Sequence, residues 1–132
     1  MTTTEQIVSI LYRLVSGSEL NAAVSGDIYT AEDRPADSKL EDITIGVPAN
    51  RPSQYQHGTA YVNVYVPKVR KENQLIRDRE RISALEEKAW RLLEHVLTSD
   101  YHFDLVSQNT REVPGIDQHC IINELSFTFV NY

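Results

Sequence analysis

Apolar residues open the chain at Ile7, Ile10, Leu11, Leu14 and Val15, spaced i, i+3, i+4, i+7 and i+8. That spacing is one face of a helix, with Thr4 as its N-cap and Gly17 as its end. Ser18 caps a second, shorter helix through Ala22, Ala23 and Val24, closed by Gly26. Asp27-Ile28-Tyr29-Thr30 reads as a short extended segment, and the polar stretch 31–39, with Pro35 and several charges, as a linker crossing the surface. Alternation then takes over. Ile43, Ile45 and Val47 share one face of a strand at 41–47. Residues 48–58 carry two prolines and mostly polar or small side chains, which predicts a mobile loop available to a partner. From Thr59, one face carries Ala60, Val62, Val64 and Val66, the other Tyr61, Asn63 and Tyr65. These two strands pair as a hairpin with a long exposed tip.

Beyond Pro67 the period changes. Leu75, Ile82, Ala89 and Val96 recur seven apart, joined by Leu85, Leu92, Leu93 and Leu97, with Trp90 widening the stripe. Glu87 and Arg91 add a favourable i, i+4 pair. A helix over 72–98 would measure about 40 Å at ~1.5 Å per residue. A domain of this size has a radius of gyration near ~14 Å and a diameter of about 35 Å. The stripe is dense only after Ile82, which favours projection of the first turns; the alternative is a shorter helix capped by Asn73 or Asp78. Tyr101, Phe103 and Leu105 then alternate with His102 and Asp104 in a strand, and Pro114-Gly115 marks a turn. The final strand, 119–130, puts Ile121, Leu125, Phe127 and Phe129 on one face and Ile122, Glu124, Ser126 and Thr128 on the other. The order ααβββαββ predicts one α+β domain over 1–132. Its sheet is mainly antiparallel, of four to five strands, with one long helix and the N-terminal helices packed on it.

Charge adds information that the totals hide. The 132 residues carry a net charge of −6, which argues against binding driven by phosphate neutralisation. Yet Lys68, Arg70, Lys71, Arg77, Arg79 and Arg81 stand with only Glu72, Asp78 and Glu80 between 68 and 81, a local balance of +3 that leaves −9 for the remainder. Segregated charge suits head-to-tail contact between copies; a solvated helix face is the plainer reading. One cysteine, Cys120, excludes an intrachain disulfide. No apolar run approaches the ~20 residues of a membrane span, and the N-terminus lacks the pattern of a signal peptide. A cytoplasmic site of synthesis is the expectation.

Candidate chemistry is sparse. His57, His95, His102 and His119 show no ligand spacing. His119 and Cys120 are adjacent and point to opposite faces of a strand, which makes Cys120 a packed or edge thiol. Asp104 and Glu124 invite an acid-pair reading, against solvated strand carboxylates. The serines lack a G-x-S-x-G context and the glycines stand singly. No enzyme activity, cofactor, metal or specific nucleic acid is expected. Tyr55, Tyr61 and Tyr65 near a basic segment offer stacking surfaces, but alternation on a strand explains them equally. The candidate partner surface comprises Arg51, Gln54 and Tyr55 in the loop, with Lys68, Arg70, Lys71, Arg77, Arg79 and Arg81.

The layout resembles small phage tail-terminator (tail-completion, head–tail joining) proteins. The resemblance rests on an opening helix at 7–15 and a short second helix ending in Gly26-Asp27-Ile28-Tyr29. Arg34-Pro35 follows, then an extended hairpin, a helix over 82–97 and closing strands. It departs from that family in the polar linker 31–39 and the charged helix start. The resemblance implies a non-enzymatic virion component: a homo-oligomeric ring, commonly a hexamer, that caps the tail tube and joins it to the connector. It implies assembly in the bacterial cytoplasm before incorporation in the virion. Within such a ring, Arg77, Arg79 and Arg81 would meet acidic segments such as Glu32-Asp33 or Glu41-Asp42 of a neighbour. Two other classes stay open: a protein-binding or regulatory module of a mobile genetic element, and a small enzyme or ligand-binding domain.

Overall fold

The computed structural model describes residues 1–131. Helix α1 (Thr4–Ser16) is capped by Thr3, one residue earlier than the sequence suggests. The Thr3 hydroxyl accepts the Gln6 N–H while the Gln6 side chain takes the Thr3 N–H, a reciprocal box that satisfies two donors at once. The predicted face is buried at Ile7, Leu11 and Val15. Helix α2 (Glu19–Ala23) has Ser18 as its cap and ends at Val24, short of Gly26. Gly26 serves a different need. Its N–H binds the Glu41 carbonyl, and a Cβ there would lie 2.7 Å from that oxygen.

The strands are β1 (Ile28–Thr30), β2 (Ile43–Arg51), β3 (Tyr55–Pro67), β4 (Val69–Lys71), β5 (Gln74–Ile76), β6 (His95–Leu97), β7 (Tyr101–Glu112) and β8 (Gln118–Val130); α3 (Arg79–Leu93) lies between β5 and β6. Six of them form one sheet in the order β1-β2-β3-β8-β7-β6, antiparallel except at β1–β2. The α+β class and the mostly antiparallel sheet agree with the sequence reading. The strand number is six, because β1 and β6 add short edges to a sheet expected to have four to five. Short edges also limit edge-to-edge pairing with other chains.

β3 and β8 pair along their full length, from Tyr55 opposite Val130 to Pro67 opposite Gln118. Their shared inner face, Ala60, Val62, Val64, Ile121, Leu125, Phe127 and Phe129, is buried with Ile43, Ile45 and the inward residues of α1 and α3. Phe103, Phe127, Phe129 and Tyr101 stack edge-on and face-on with centroids 5.0–5.9 Å apart, closing the core at the β6 side. Asn123 is the polar exception on this face. Its Nδ2 donates to the Val62 carbonyl and its Oδ1 accepts from Gln108, which also donates to the Glu86 carbonyl of α3. A buried amide with its bonds made costs little and fixes α3 over the sheet.

Two expectations fail. The helix over 72–98 is α3 alone, about 22 Å long at ~1.5 Å per residue, and it fits the body without projecting. Asp78 caps it by accepting the Arg81 N–H, and residues 69–76 turn back as the β4–β5 hairpin. The hairpin's two-residue tip, Glu72-Asn73, has φ of 52° and 66°, the double left-handed turn that matches strand twist. The other failure is the loop at 48–58. β2 runs on to Arg51 through a bulge between Gly46 and Ala49, which absorbs Pro48, and β3 starts at Tyr55. Buried Gln56 anchors this tip by bonding Thr2, Asn50 and Asn131.

Candidate assembly surfaces

Two ion pairs settle which charges remain available to a partner. Asp42 is fully buried on the sheet face away from the helices. Its carboxylate accepts the Asp27 N–H, the Ser38 hydroxyl and the Arg34 Nε at 3.0 Å. Arg34 also donates to Gln118 Oε1 and lies 3.7 Å from the Tyr65 ring centroid, a desolvated cation–π contact. The linker 31–39 is therefore pinned across the sheet by Arg34 and Ser38. Cys120 sits beneath, and burial pushes its thiol up to about 11, so it stays protonated and inert at neutral pH.

Glu41 holds the second pair. Its carboxylate takes Arg81 Nε and Nη2 at 2.5 and 2.8 Å and also the Ser25 N–H, while Arg81 reaches the Ala23 carbonyl. One glutamate thus ties the end of α2, the start of α3 and the lead-in to β2. Arg81, read as a partner residue, is engaged within its own subunit. The same holds for Glu41 and Asp42, read as acidic partners of a neighbour.

The remaining candidates fall into two groups at opposite ends of β3. Arg51, Gln54 and Tyr55 are exposed at the β2–β3 tip, Tyr55 by 61%. Lys68, Arg70, Lys71 and Arg77 lie at the other end, about 40 Å away at ~3.3 Å per residue, with Arg79 exposed on the first turn of α3. Lys68 is paired with Glu112 at 2.9 Å. Arg70, Lys71, Arg77 and Arg79 form no ion pair among the described residues. The β4–β5 hairpin bears Arg70 and Lys71, with Arg77 directly after it; it is exposed at every position and shows Val69, Leu75 and Ile76 to solvent. Sequence reasoning found its charge and missed its form.

Between these ends the sheet face opposite the helices is polar. Tyr61 donates to Glu124 at 2.9 Å, and both line a shallow depression with Asn63, Ser107, Asn109, Arg111 and Ile122. Asp104 and Glu124 are not partners: Asp104 lies opposite Ser126 and Glu124 opposite Ser107. His95 and His102 flank Asp104 at 3.9 and 3.5 Å, whereas His57 and His119 lie elsewhere. His119 is buried beside β3 and has its pKa held below the ordinary value by desolvation, reinforced by Arg77 and Lys68. No group of three or more His, Cys, Asp or Glu among the described residues has the geometry of a metal site. No helix among them is long and apolar enough to cross a membrane. Compared with known proteins, the chain matches no family model and no curated protein.

Proposed function

We propose that this protein is a non-enzymatic structural component of a phage or prophage, a ring-forming subunit that caps the tail tube and joins it to the head-side connector. The observation that carries the reading is the split of partner-accessible groups between the two ends of one rigid strand. Tyr55 and Arg51 stand at one end and the basic hairpin at the other. A joint between two assemblies needs two such surfaces, held at a fixed separation by a stiff body. The tail-terminator resemblance supports the reading through two N-terminal helices, a long hairpin, a helix over the sheet and closing strands, to which this chain adds β1, the β4–β5 hairpin and the short β6. Segregated charge favours heterologous contacts, which close into rings.

The test is negative-stain microscopy of the purified protein at high concentration, with and without a tail-tube protein from the same genome. Closed rings, six-fold by the resemblance, and tubes capped at one end are the expected result. Monomer-sized particles beside bare tubes would refute the reading.

A further inference from the structure

Resting on that ring reading, we propose that the β4–β5 hairpin of one copy docks into an acidic groove on the next copy. The groove lies between α1 and the β1–β2 edge of the sheet. The hairpin is an unusual element to leave in water. Two short strands alone are marginal, yet this pair displays Val69, Leu75 and Ile76, each at least 37% exposed, between three unpaired cations. Its base is fixed: the Lys68 N–H binds the Asp117 carbonyl at 2.9 Å and the Lys68 ammonium binds Glu112. The arm stands at the Pro67 end of the sheet, where Arg70 and Leu75 border a cleft shared with residues 36–39 and 116–118 of the same subunit.

The groove has the complementary chemistry. It is a cleft of about 280 Å³ whose floor is Val8, Ile45 and Val47 and whose rim carries Glu5, Glu32 and Asp33; no lysine or arginine lines it. Apolar floor and acidic rim repeat, with sign reversed, the apolar side chains and cations of the arm. A subunit cannot fill its own groove. Ile45 lies opposite Val62 on β3, and Val62 is five residues, about 17 Å at ~3.3 Å per residue, short of Pro67, beyond which the arm extends further. Arm and groove are therefore different patches of one molecule, and their contact runs head to tail. The acidic partners are Glu5 with Glu32 and Asp33, since Glu41 and Asp42 are engaged internally.

Charge-swap variants test this. Arg70→Glu with Lys71→Glu and Arg77→Glu reverses the arm; Glu5→Lys with Glu32→Lys reverses the rim. All five positions are exposed, and circular dichroism checks that each variant melts as the parent does. By light scattering at low salt, each set alone should require at least about tenfold more protein to assemble. Both sets combined in one chain should restore assembly. Reversed arms that assemble like the parent, or a combined variant that stays dissociated, would overturn the docking and leave the ring reading standing. A parent protein that is monomeric at every concentration would overturn both.

Discussion

Single side chains of this protein divide into those that hold the body and those left for contact. Asp42 belongs to the first kind. Fully buried, it balances Arg34, whose side chain is 8% exposed, and removing one partner leaves a charge stranded in low dielectric. Asp42→Asn is expected to lower unfolding free energy by about 3 kcal/mol in urea titrations. Adding Arg34→Met should recover part of that loss, because the stranded charge goes with it. His119 sets a second expectation. Its folded pKa lies below 6.5, so the neutral ring is the form the fold accepts, while the unfolded chain protonates at the ordinary value. Its contribution is complete above about pH 6.5 and is lost as pH falls toward the folded value. The groups facing it are Arg77, Lys68 and Glu112. Thermal melts from about pH 7.5 to about pH 5 should show a falling midpoint, and His119→Asn should flatten part of that fall. An unchanged slope in the variant would assign the acid sensitivity to other groups.

At the scale of elements, α3 supplies the clearest test. If a helix ran over 72–98, Asp78 would sit inside it and alanine there would help. As the N-cap of α3, Asp78 accepts the Arg81 N–H, and Asp78→Ala should instead cost about 1 kcal/mol by thermal or urea unfolding. The sign alone decides. This element also shows where the sequence was legible. Ile7, Leu11 and Val15 announced α1, and the alternations through Val62 and Phe127 announced β3 and β8, because one face of each meets the core and the other meets water. The β2–β3 tip was illegible because its buried face is made of Gln56, Gly58 and Ala49, polar or small groups satisfied by hydrogen bonds and close packing. Gly58 is there because a Cβ would lie 1.9 Å from the Ala49 carbonyl oxygen and 2.7 Å from the Phe127 ring. The arm was illegible because neither of its faces is buried, so Leu75 joined the heptad of α3 by coincidence of spacing. Its one local signal was Asn73, tolerant of positive φ. Of the candidate surface, the cations were legible from composition. That Arg81 turns inward depended on Glu41, forty residues away in sequence and unpredictable from local pattern.

For the whole molecule, the pieces describe a stiff body with work at its two ends. β3 and β8 span it, α1 and α3 cover one face, and the linker pinned by Arg34 crosses the other. The proposed contact groups lie at the β2–β3 tip, on the basic arm and, between those ends, along the acidic groove. In the proposed assembly the arm and groove join neighbours around a ring, and the tip, with Arg51, Gln54 and Tyr55, meets the tube or the connector. The most direct measurement is electron microscopy of the purified protein, alone at high concentration and mixed with a tail-tube protein from the same genome. The account predicts closed rings of about the width of the tube and tubes bearing a cap at one end. Particles that remain single subunits at every concentration, beside tubes with unoccupied ends, would contradict it.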